Sequence, residues 1–401
     1  MKRKTIPFFS TLFLLFLAVT SSAQDLDVSF HGYVGMNVTH DSRSSVTARN
    51  RHIYLYPLPE DISETGRDLN NQGQLDIDAT YSRFGIDIKG PDIGNFSSSA
   101  MIEGDFLGQV GFDSYFRLRH AFISLSREKW TFLAGQTWHP IFVTDNFPGT
   151  VNVNAGTPFH PLLRSPQIRI ARDISSTTRL LFYIVDQNNF RSTGYGNNST
   201  EEALFPELDA RIRWETRGML VALTGGFKTL AVPREISGTA SPEKLRSSHF
   251  NASFRYKLPS FTFRMEGIYG GNLSEMAMLG GTGRTMADDD FMPISTGAIW
   301  ADVQTNDQNG WQPGIFAGYT ANMGAREEVT VIEELSRSQG QVASVYAVSP
   351  RLKYVFDHFW IGAEWLFTSA KWGDETDDFG VPVNTENYEN HRLLLSLRYN
   401  F

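Results

Sequence analysis

Like charges two residues apart are the chemistry-bearing feature of this chain. Arg117 and Arg119, Arg211 and Arg213, Glu103 and Asp105, and Asp76 and Asp78 all show the spacing. In an extended strand such residues share one face, because side chains alternate. Two carboxylates on one face can divide general acid and base roles. Two guanidiniums on one face can hold a carboxylate or phosphate. Glu103 and Asp105 therefore admit a hydrolase reading of lipase or protease type. The flanking arginines favour an ion-paired lining over that alternative. No His-Glu-x-x-His run and no Gly-x-Ser-x-Gly elbow accompanies them. We expect no catalytic residue, no cofactor and no metal: His139 and His160 lack the helical or turn spacing of a ligand pair.

These residues sit on segments with a period of two. Leu26, Val28, Phe30, Val34, Met36 and Val38 alternate with Asp27, Ser29, His31, Asn37 and Thr39. Leu75, Ile77, Ala79 and Tyr81 continue as Phe84, Ile86 and Ile88 after a slip of parity at Ser82-Arg83, which suggests a bulge. Further segments centre on 98–107, 114–125, 129–138, 166–172, 177–187, 207–216, 218–229, 248–258, 260–270, 294–304, 311–321, 343–356, 358–369 and 390–401. With the first two, that makes about 16 strands. Tight connections such as Arg217-Gly218 alternate with long ones at about 41–73, 139–165, 188–206, 230–247, 271–293, 322–342 and 370–389.

The chain has 401 residues and no cysteine. Lys2, Arg3 and Lys4, an apolar run from Phe8 to Val19 and the small residues Ser21-Ser22-Ala23 read as a signal peptide over 1–23. The domain that remains is 24–401. Its formal charge is -8 - 3 = -11, a poor balance for binding nucleic acid. Beyond the leader no apolar stretch reaches the roughly 20 residues of a spanning helix. Only helices and closed barrels satisfy the backbone in lipid. The expected fold class is all-β, a transmembrane antiparallel β-barrel of the bacterial outer membrane.

On that fold the polar face points inward. By parity it carries Arg83, Lys89, Arg117, Arg119, Arg169, Arg211, Arg213, Arg255, Arg264, Arg351, Lys353, Arg392 and Arg398. Against these 13 cations stand 9 acids: Asp76, Asp78, Asp87, Glu103, Asp105, Asp209, Glu215, Glu266 and Glu364. Charges on the lipid face would cost about 2–4 kcal/mol at mid-bilayer. A basic inner wall concentrates anions, so small anionic solutes are the expected partners. The remaining acid lies in loops, such as Asp288-Asp289-Asp290, Glu333-Glu334 and Asp377-Asp378. There it could bridge through divalent cations to lipopolysaccharide of the surrounding lipid. The terminal strand carries Leu393, Leu395, Leu397, Tyr399 and Phe401 on one face, and its terminal aromatic resembles the signal by which barrel-assembly machinery recognises its clients.

The segment 139–166 differs from the rest. Pro140, Pro148, Pro158 and Pro161 stiffen it, and it carries Asp145, Asn146, Asn152, Asn154 and Arg164. We expect it to fold into the lumen and narrow the pore.

Ser82-Arg83-Phe84-Gly85-Ile86, Glu103-Gly104-Asp105-Phe106, Arg117-Leu118-Arg119-His120-Ala121-Phe122, Gly135-Gln136-Thr137-Trp138 and Arg164-Ser165-Pro166-Gln167-Ile168-Arg169 follow one another in that order. The series resembles the DcaP-type trimeric outer-membrane porins, mainly over 80–172 and again at the last strand. The resemblance implies a homotrimer of 16-stranded barrels that passes small anions such as dicarboxylates. It also implies Arg83, Arg117, Arg119 and Arg169 at the constriction, opposite Glu103 and Asp105. The chain departs from that family in lacking an N-terminal extension before its first strand, so trimer contacts would fall to the barrel wall.

Overall fold

The computed structural model describes residues 26–110, 113–187, 191–192, 200–232, 235–236, 239–240, 244–285, 290–329, 331–334 and 341–401. The leader at 1–23 and Asp288-Asp289 lie outside them. The described chain closes into a 16-stranded antiparallel barrel. Its strands are β1 (Asp27–Asp41), β2 (Gln74–Asp78 with Arg83–Lys89), β3 (Ser97–Val110), β4 (Asp113–Arg127), β5 (Trp130–Trp138) and β6 (Arg164–Asp173). They continue as β7 (Thr178–Val185), β8 (Glu207–Glu215), β9 (Met219–Ala231), β10 (Lys244–Lys257) and β11 (Phe261–Gly271). The last five are β12 (Phe291–Thr305), β13 (Gly310–Gly324), β14 (Val342–Phe356), β15 (Phe359–Thr376) and β16 (Pro382–Asn400). Each pairs with the next, and β16 closes on β1 with Tyr33 opposite Asn400 and Asp41 opposite Arg392.

All sixteen segments expected from alternation fall on these strands. The parity slip appears as the interruption of β2 at Ala79–Ser82. Phe401 falls just beyond β16, yet its amide and carbonyl both bond to Gly32, at 3.1 and 3.0 Å. Strand β15 runs to Thr376 and β16 starts at Pro382, well past the alternating stretches. There the ladder holds the hairpin together, and no apolar stripe marks it.

The burial pattern has the inverse polarity of a soluble β protein. Leu393, Leu395 and Tyr399 are exposed on the outside, while Arg392 and Ser396 are buried. Ile299, Phe182, Ile123 and Leu75 are exposed in the same way. A surface of this extent would aggregate in water and suits hydrocarbon.

The lumen is not an open cylinder. Three connecting segments turn inward and share an apolar core with the wall. One is a hairpin, Ser45–Ala48 against Ile53–Pro57, which buries Leu55 and Tyr56 completely. The second is 139–163. The third is the turn around Ser274–Met276. Tyr56, Phe142, Phe159, Leu279, Trp300, Phe316 and Trp372 meet in one cluster. Ile141, Leu163, Leu273 and Met276 meet in another.

Candidate functional site

Two bulges between β3 and β4 shape the charged site. The register shifts between Glu103 and Gly104, and again between Asp105 and Gly108. Glu103 pairs with His120 and Gly104 with Leu118, which leaves Arg119 as the extra residue. A bulge of this kind re-aims side chains, and here Arg117, Arg119 and His120 are all buried on the inner face.

The acids sit among the arginines, not across the lumen from them. Arg117 donates to both oxygens of Asp105, at 2.9 and 2.8 Å. Arg119 donates to Glu103 Oε1 at 2.6 Å and to Asp105 Oδ2 at 3.0 Å. Arg83 lies 3.7 Å from Glu103, and His31 Nε2 is 3.4 Å from its other oxygen. His31 reaches Glu103 over Gly85, where an added Cβ would stand 2.3 Å from the imidazole. Two further guanidiniums have aromatic neighbours and no ion pair among the described residues. Arg164 lies over the Trp138 ring at 4.1 Å, and Arg398 over Tyr33 at 3.6 Å. Phe142 stacks on Trp138 with centroids 3.9 Å apart.

These groups line one cavity of about 520 Å³. The strands contribute Arg83, Arg117, Arg119, Arg164 and Arg398 to it, with Glu103. Segment 139–163 contributes Phe142, Thr144, Phe147, Pro148, Thr150 and Asn152. With Asp105 behind Arg117, five arginines face two carboxylates, a surplus of 5 - 2 = 3 positive charges. A surplus of this kind makes the cavity wall electropositive.

Segment 139–163 is fastened to inward-facing groups around the barrel. Glu364 of β15 accepts the Val151 amide at 2.5 Å and the Asn152 amide at 3.4 Å. His160 meets Glu266 of β11 at 2.7 Å. Asn146 donates to the Met265 carbonyl at 2.9 Å, and Asp145 pairs with Arg213 at 3.2 Å. Asn152 and Asn154 cap turns within the segment, accepting from the amides of Asn154 and Gly156. Arg164 opens β6.

The remaining basic candidates have separate positions. Arg211 is buried beneath the segment and donates to the carbonyls of Pro140 and Phe142. Arg255 pairs with Glu215 at 2.6 Å and Arg264 with Asp302 at 3.2 Å. Arg392 is buried under the inner hairpin and pairs with Asp41 at 2.8 Å. Arg169 is not among the residues lining the cavity. Tyr33, His120 and Trp138 belong to the site and were not marked as such by the sequence. An inward aromatic breaks the polar parity; Trp138 and His120 stood only within quoted runs, and Tyr33 in none.

No protein-family model matches the chain, and no curated protein matches it. Solved structures do. An anion-selective porin from Comamonas acidovorans superposes with a TM-score of 0.58, at 10% identity, over 94% of this chain and 100% of that one. The fold is that of the porins. OmpT of Vibrio cholerae gives a TM-score of 0.55 at 13% identity, covering 94% and 98% of the two chains. OmpF of Salmonella typhi, in complex with daunomycin, gives 0.54 at 10% identity over 94% and 98%. The likeness is to porins as a class. The narrower DcaP-type resemblance rests on the sequence motifs alone.

Proposed function

We propose that the chain is an outer-membrane porin that passes small hydrophilic solutes by passive diffusion and prefers anions. One observation carries this: five arginines and Glu103 line the cavity of about 520 Å³, with Asp105 behind Arg117, and two of the arginines have no ion pair among the described residues. The apolar outer wall supports the membrane setting, and the anion-selective porin from Comamonas acidovorans has the same fold. Segment 139–163 acts as the constriction, since its inner residues and the arginines share the cavity. Solutes with two carboxylates suit guanidinium forks on adjacent strands. The acid pair is an unpromising catalytic centre because Arg117 and Arg119 engage both carboxylates.

A homotrimer is the proposed assembly. OmpT of Vibrio cholerae, of the same fold, is known in a trimer form. Planar-bilayer recording under a salt gradient tests the function. A reversal potential of anionic sign, with closure in three steps, is the expected result. Cation selectivity rejects the anion preference, and absence of channels rejects the porin.

A further inference from the structure

A second polar cluster lies apart from the arginine cavity, where segment 139–163 leaves β5. His139 Nε2 is 2.9 Å from Glu207 Oε1. His249 Nε2 is 2.7 Å from Asp209 Oδ1 and 3.7 Å from Glu207 Oε1. Ligand-capable atoms of His139, Glu207 and Asp209 all lie within 4.8 Å of one another. The four residues come from the start of the segment, β8 and β10, and none is more than 6% exposed.

Two further observations point to a ligand. Asp209 Oδ2 is buried and has no hydrogen-bond partner among the described residues. Gly226 of β9 stands between the two strands, pairing with both Asp209 and His249. A Cβ there would meet Asp209 Oδ1 at 2.2 Å and His249 Nε2 at 2.3 Å, so the glycine is what lets these two donor atoms converge over β9.

We propose that His139, Glu207, Asp209 and His249 bind a divalent first-row transition ion, with zinc as the reference. Two imidazoles and two carboxylates are a donor set such ions accept. Bonds of about 2.1 Å in a tetrahedron place ligand atoms about 3.4 Å apart. Three of the six donor separations, 2.7, 2.9 and 3.7 Å, bracket that value, and the donor atoms of His139, Glu207 and Asp209 lie within 4.8 Å of one another. On binding, the Nε2 proton of each imidazole moves to Nδ1, and at His139 this gives up the hydrogen bond that Nδ1 accepts from the Ile141 amide. The ion ties the start of segment 139–163 to two strands of the wall. The spacing in sequence conceals the site because its ligands converge from three elements.

The test uses the untagged full chain, stripped with chelator and titrated with Zn²⁺ and, separately, Co²⁺. Metal per chain is read by mass spectrometry and geometry by the Co²⁺ visible spectrum. One ion per chain and a tetrahedral Co²⁺ band are expected. His249→Gln, Asp209→Asn and Gly226→Ala are expected to weaken uptake by more than the roughly ten- to hundred-fold that loss of an outer partner costs. Folding of each variant is checked by heat-modifiable gel migration. No stoichiometric uptake by the wild-type protein, or uptake unchanged in a folded variant, overturns the site. Where a variant does not fold, the wild-type Co²⁺ spectrum decides, and an octahedral one overturns it.

Discussion

Arg119 and Arg164 are both buried arginines of one cavity, and they do different work. Arg119 bridges Glu103 and Asp105, at 2.6 and 3.0 Å. Removing one partner of a buried ion pair costs about 3–5 kcal/mol, because the charge left behind is uncompensated. Arg119→Gln should therefore lower the resistance of the barrel to heat as well as its anion preference. Arg164 has an aromatic partner and no ion pair among the described residues. Arg164→Gln should lower the anion-to-cation permeability ratio while costing no more than about 2 kcal/mol. Thermal melts and reversal potentials of the two variants separate these outcomes. Equal melting temperatures would remove the structural role given to the Arg119 lattice. The charged members of this site were legible in the sequence, since strand parity put Arg83, Glu103, Asp105, Arg117 and Arg119 on one face. The aromatic members were not. Trp138 and Tyr33 gain their role from guanidiniums distant in the chain, and no local spacing records that contact.

At the scale of elements, alternation located every barrel strand because one face meets an apolar surround and the other does not. It failed at the outer ends of β15 and β16, where the outward face turns polar while Trp372 packs inward on the apolar cluster and the ladder continues. It also gave no sign that the hairpin Ser45–Pro57 and the turn around Ser274–Met276 enter the barrel. Their apolar residues follow no period, since each fills a gap set by a different strand. Segment 139–163 was marked by its prolines, and its fastening supports a specific expectation. Glu364 accepts two of its backbone amides, at 2.5 and 3.4 Å. Glu364→Ala strands both donors, each costing on the order of 1–3 kcal/mol. The tip of the segment should then fluctuate, and single-channel records should become noisier with the mean anion preference retained. A quiet channel in this variant would mean that the His160–Glu266 contact and the apolar anchors suffice. Phe159 is the principal anchor: it is 2% exposed and packs on Phe316 with centroids 5.9 Å apart. Phe159→Ala should cost about 3–5 kcal/mol of folding stability, read as a lower midpoint in denaturant.

At the scale of the whole molecule the barrel has two apolar phases, one outside and one within. The outer one is legible from alternation, and it makes Ile299→Lys, at the middle of β12 and 51% exposed, cost about 2–4 kcal/mol in a bilayer. The inner phase sets how much of the lumen is free. The inner hairpin is held from several sides. His52 meets Asp78 of β2 at 2.8 Å, and Thr368 and Trp372 of β15 donate to the Leu55 and Pro57 carbonyls at 3.0 and 2.9 Å. Ile53 of the same hairpin also lines the arginine cavity. Removing this hairpin should therefore widen the passage without opening the wall, because β1, β2 and β16 stay paired through their own ladders. A short glycine-serine link in place of Ser45–Pro57 should give a barrel that still migrates as folded and conducts more per channel. Its anion preference should fall, since a wider pore lets water screen the arginines. Asp41 and Arg392, now covered by the hairpin, would meet the lumen as a pair and add no net charge. A conductance equal to that of the intact chain would show that segment 139–163 alone sets the passage and that the hairpin only fills the wall behind it.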